Sequence, residues 1–113
     1  MLRQRKEAAL KVAESLWAAE DAIDAAFARA AELNGTLASA RCEAELSAIV
    51  GQEAFEGAAA ALTAIAKARG ELVETHRRLT EVKAQIGLRT LAVGDNGKPE
   101  TTGAAPQHLR AVA

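Results

Sequence analysis

Two histidines, one cysteine and several closely spaced carboxylates are the residues of this chain that could do chemistry. Their spacing argues against most of it. His76 follows Glu71 and Glu74, but a helical carboxylate–histidine metal motif needs its two members three residues apart, on one face. Here the separations are five and two, which points the side chains in different directions. His108 is far from any second ligand. No metal and no cofactor are expected.

Glu20 with Asp24 and Glu53 with Glu56 are carboxylate pairs of the kind that serve as acid and base when a shielded cleft shifts one of them. On long helices such pairs are ordinary solvated surface. Cys42 is the single cysteine and has no nearby base in the sequence, so it reads as a buried small residue rather than a nucleophile. Being alone, it allows no intramolecular disulfide and suits a cytoplasmic setting. The GDNG run at 94–97 lacks the preceding strand, the lysine and the hydroxyl residue of a phosphate-cradling loop. The chain is therefore expected not to be an enzyme and to have no small-molecule substrate.

The elements that carry these residues are long helices. Half of the 113 residues are hydrophobic, yet only 3% are aromatic and much of the rest is alanine. Alanine buries little area, so at roughly 25 cal/mol per Å² stability has to come from length and close packing. The two prolines, Pro99 and Pro106, lie near the C-terminus and leave the preceding residues free to be helical. From Gln52 to Leu88 a seven-residue series runs Ala58, Ile65, Leu72, Leu79, Ile86, with the companions Ala54, Ala61, Ala68, Thr75 and Val82. From Leu2 to Leu33 a matching series runs Leu2, Ala9, Leu16, Ile23, Ala30, with Val12, Ala19, Ala26 and Leu33. Repeats of this length predict helices. Trp17, Leu10, Phe27 and Ala13 widen the first stripe.

Asn34 and Gly35 predict the end of the first helix, with Thr36 or Ser39 capping the next. Around Gly51 the apolar phase changes, which predicts either a break there, giving a third helix, or a kinked continuous helix. Gly57 and the alanines at 58–61 form a smooth surface that predicts tight packing within the chain, with a small-residue dimer contact as the alternative. The fold class expected is all-α: a long antiparallel, coiled-coil-like hairpin over residues 1–93, possible in a three-helix form, followed by a flexible tail at 94–113.

Charge sharpens the picture. The net charge is −1, but Arg3, Arg5, Lys6 and Lys11 outweigh Glu7 in residues 1–11, while residues 12–60 hold nine acids against Arg29 and Arg41. Without a general basic excess, nucleic acid is not the expected partner. The run GAAAALTAIA at 57–66 is far shorter than the roughly 20 residues of a membrane span; neither a membrane span nor a signal peptide is expected.

A first helix ending at Leu33 is too short to cover everything from Thr36 to Leu88. An apolar overhang is expected, and exposed apolar stripes are usually interaction surfaces. The expected function is a non-enzymatic structural or assembly protein that oligomerises, or binds another helical protein, through Ile65, Leu72, Leu79, Val82 and Ile86. The alternatives are a small helical chaperone or regulator covering a partner helix, or an accessory of a phage or secretion system. A peripheral membrane or granule-surface binder comes third.

Overall fold

A computed structural model describes residues 1–88. Two helices account for most of them: α1, Leu2–Glu43, and α2, Gln52–Gln85. There is no strand among the described residues, and the fold is an all-α helical hairpin. The expected tail at 94–113 lies outside the described residues. The chain contacts divide into two compact units, one built from Met1–Ala22 and the chain from Glu71 on, the other from Ile23–Gly70.

Unit 2 contains the reversal of the chain, and it is not where Asn34 and Gly35 predicted it. Helix α1 runs through both residues to Glu43. The Asn34 amide donates to Ala30 O at 2.8 Å and to Ala58 O on α2 at 3.1 Å. A side chain held by the facing helix has no need to terminate its own. Gly35 then sits inside a helix at a cost of about 1 kcal/mol relative to alanine, which packing on either side offsets. Thr36 and Ser39 do not cap a new helix; Ser39 Oγ donates back to Gly35 O at 3.2 Å. No third helix occurs among the described residues.

The reversal uses the eight residues 44–51 between the helices. Glu45 N donates to Cys42 O and Leu46 N to Arg41 O, at 3.0 and 3.2 Å, with Glu45 at φ 55°. This is the paired-bond stop that closes helix C-termini with one left-handed residue. Arg41 adds a bond from Nη1 to Leu46 O at 2.8 Å. The chain then enters α2 from Gly51, whose φ of 80° suits glycine and whose carbonyl accepts from Ala54 N at 2.9 Å. The C-terminus of α2 repeats the same stop with a better residue: Gly87, φ 83°, donates to Ala84 O, and Leu88 N donates to Lys83 O at 2.9 Å. A side chain in the left-handed region costs about 1–2 kcal/mol. Replacing Glu45 with glycine should therefore stabilise the hairpin by about 1 kcal/mol, read as a rise in the thermal midpoint by circular dichroism.

The buried stripe of each helix differs from the expected one in a regular way. On α2 half-buried positions recur as Phe55, Ala58, Leu62, Ile65, Arg69, Leu72, His76, Leu79 and Lys83, alternating by three and four residues, with Glu74 and Ala84 half-buried beside them. On α1 the corresponding positions are Ala9, Ala13, Leu16, Glu20, Ile23, Ala30, Asn34, Leu37 and Arg41, with Phe27 more exposed. One expected series in each helix stands except at its end, where Leu2 and Ile86 are exposed. The other is displaced by one residue, so that Ala13 and Asn34 replace Val12 and Leu33 on the seam, while Glu20 joins Ala19 there, both half-buried.

Trp17 supplies a physical reason. It is the largest apolar side chain available, burying on the order of 150–250 Å². Ala13, Leu16 and Trp17 are buried, whereas Val12 and Leu33 are 45% and 52% exposed. Turning α1 to seat the indole carries Val12 and Leu33 outward. Two further expectations fail with the geometry. A Cβ at Gly57 would meet nothing within 4 Å, and Ala59, Ala60 and Ala61 are exposed, so this run is not a tight intrachain contact. Helix α1 has 42 residues and α2 has 34, so the length mismatch from which an overhang was expected is absent, although Val82 and Ile86 are exposed.

Candidate functional site: a polar seam and an apolar groove

The displaced register puts polar groups between the helices. In unit 1, His76 Nδ1 lies 2.6 Å from Glu20 Oε2, with both side chains largely buried; a protonated Nδ1 donates to the carboxylate. In unit 2, Arg69 Nε donates to Asp24 Oδ1 at 2.6 Å, and Asn34 bonds the Ala58 carbonyl. These contacts hold specific residues opposite one another, whereas an alanine seam would permit sliding. Their role here is positional. His76 takes its partner from the facing helix, and no group of three or more His, Cys, Asp or Glu among the described residues has metal-holding geometry. Cys42, expected to be buried, is exposed, with its Sγ 3.3 Å from Arg41 Nη2. The connection that follows it provides little cover.

Arg77 and Arg78 of α2 are engaged by acids of the same helix. Arg77 bonds Glu74 at 2.6 Å and also pairs with Glu81, and Arg78 reaches Glu74 at 3.2 Å. The hydrogen bond from Arg77, followed by that from Arg78, lowers the Glu74 carboxyl from 4.5 to about 2. Because the folded value is depressed, the stabilisation from this network is complete above the ordinary carboxylate range and is lost as pH falls toward 2. In a carboxyl NMR titration Glu74 should show a midpoint near 2, and Arg77→Ala should move it upward.

The apolar feature of unit 1 is a groove of about 230 Å³ lined by Arg5, Ala8, Ala9, Val12, Leu79, Val82, Lys83 and Ile86. Its floor is Leu79, which also packs on Ala13 and Trp17. Its walls are Val12 on α1 and Val82 and Ile86 on α2, exposed by 45%, 45% and 36%. Of the interface residues expected from sequence, Leu79, Val82 and Ile86 come together here. Leu72, also in unit 1, is half-buried on the seam; Ile65 is half-buried in unit 2. Val12 and Ala9 were legible as part of a stripe but not as groove walls. Finding them needed the rotation that Trp17 imposes.

Comparison of the chain with family models, curated proteins and solved structures finds no match. Among the described residues no helix is long and apolar enough to cross a membrane. Functional inference therefore rests on the geometry of this groove and seam.

Proposed function

We propose that the chain is a non-enzymatic assembly protein that associates with another helical element through the groove of unit 1. The observation carrying this reading is the groove itself: Val12, Val82 and Ile86 converge on one opening and are covered by nothing in the chain's described residues. The poverty of the interior supports it. Among the described residues only Ala13, Leu16, Trp17 and Leu88 are buried. Ordering a residue costs roughly 1–2 kcal/mol of backbone entropy, so so small a core leaves association as the available source of further burial.

Light scattering across a dilution series, with helix content recorded at each concentration, tests the proposal. A dimer or larger species that loses helix on dissociation is the expected result. A fully helical monomer at high micromolar concentration would overturn self-association. A second reading is favoured by the groove's position between two helices: it could receive a partner's amphipathic helix, as helix-in-groove binders do. In that case the isolated chain stays monomeric and gains stability only with the partner.

A further inference from the structure

We infer that the helix received by the groove of unit 1 is acidic: an amphipathic helix of a partner protein whose apolar stripe is flanked by carboxylates. This rests on the groove reading above, in the form where a partner's helix enters, and adds the partner's charge to it.

The uncharged lining decides half of the chemistry. Val12, Leu79, Val82 and Ile86 line the groove with two alanines, and no acid, hydroxyl or amide side chain does. A phosphate backbone laid there would keep these aliphatic groups in contact with water, whereas the apolar stripe of a helix covers them. Val12 on α1 and Val82 and Ile86 on α2 are exposed, so the groove is open between its two helices and can take a third lying along it.

The charged lining decides the rest. It consists of Arg5 from α1 and Lys83 from α2, so a helix seated between them meets a cation contributed by each helix. Among the described residues no carboxylate pairs with Arg5. The acids nearest in sequence to the two bases are held by arginines: Glu7 accepts from Arg3 at 3.3 Å, and Glu81 pairs with Arg77. Lys6 and Lys11, exposed on the same segment of α1, extend the positive field. An acidic helix answers this field with its carboxylates and the aliphatic walls with its stripe. A neutral helix answers only the walls, and a basic one is repelled.

Titration of the full-length chain into a fluorescently labelled synthetic helix reads the preference. The probe carries leucine at i, i+3, i+4 and i+7 with glutamate on both flanks, and two companions carry glutamine or lysine in place of every glutamate. The acidic probe should bind at least about tenfold more tightly than the glutamine probe, with an affinity that falls as salt is raised. The lysine probe should bind weakest. Arg5→Glu with Lys83→Glu should invert that order. Lys83 is half-buried, so Arg5→Glu alone, at an exposed position, keeps the test open should the double variant lose helix: it should remove most of the acidic preference. Equal binding of the acidic and glutamine probes, or an acidic preference that survives Arg5→Glu, overturns the inference and leaves the groove reading standing. A chain that dimerises, and whose dimer none of the probes enters, has its groove filled by a second copy, with the same consequence. A monomer that binds none of the three defeats both.

Discussion

Trp17→Ala should destabilise the hairpin by about 3–5 kcal/mol, the cost of deleting a buried indole and leaving a cavity. Trp17 is 9% exposed and lies against Ala13, which is fully buried, and Leu79. Small single domains commonly have total stabilities of about 5–15 kcal/mol, and here only four described residues are buried. Urea unfolding followed by circular dichroism should therefore show a large loss of helix in water or a strongly reduced midpoint. The indole Nε1 is buried without a hydrogen-bond partner, and an orphaned donor costs roughly 1–3 kcal/mol. Trp17→Phe, which removes that donor and keeps much of the ring, should consequently be far milder than Trp17→Ala. Equal losses in the two variants would mean that the indole is not what seats α1.

The second large effect is on association rather than folding. Val82→Asp should leave the isolated hairpin helical, because position 82 is 45% exposed, yet weaken self-association at least about a hundredfold, or roughly 3 kcal/mol. The reason is desolvation: a carboxylate at the groove wall is hydrated in the free chain and loses that hydration when a partner covers the groove. Val73, 55% exposed and outside the groove lining, is the control, and Val73→Asp should leave the association constant nearly unchanged. Sedimentation or light scattering over the same concentration range measures both. If the two variants behave alike, the groove is not the contact surface.

The helical character of both segments was legible because seven-residue repeats persist through alanine-rich sequence. The choice between two equivalent companion series was not. Ala58 followed by Ala61 and Ala58 followed by Leu62 both satisfy the average period of a helical seam, and simple hydrophobicity favours the series containing Ala68, Thr75 and Val82. The structure instead uses Arg69, His76 and Lys83, two of which meet Asp24 and Glu20 on the facing helix. Pairing across the seam is a long-range property, absent from any local window. The same applies to Asn34, which resembles a helix stop until the Ala58 carbonyl is placed beside it. Glu45 was equally opaque, since a left-handed glutamate carries no compositional signal. For the candidate site, Leu79, Val82 and Ile86 were readable as apolar positions, while their joining with Val12 depended on how far α1 is turned.

Trp17 also makes the molecule its own optical probe. The chain has one tryptophan and no tyrosine, and that indole belongs to unit 1, so intrinsic emission reports on one unit while far-ultraviolet ellipticity averages over both helices. If the units open independently, the two signals should follow different curves on heating. Coincident curves would reveal that α1 and α2, each of which contributes residues to both units, transmit the loss of structure from one to the other as a single cooperative event.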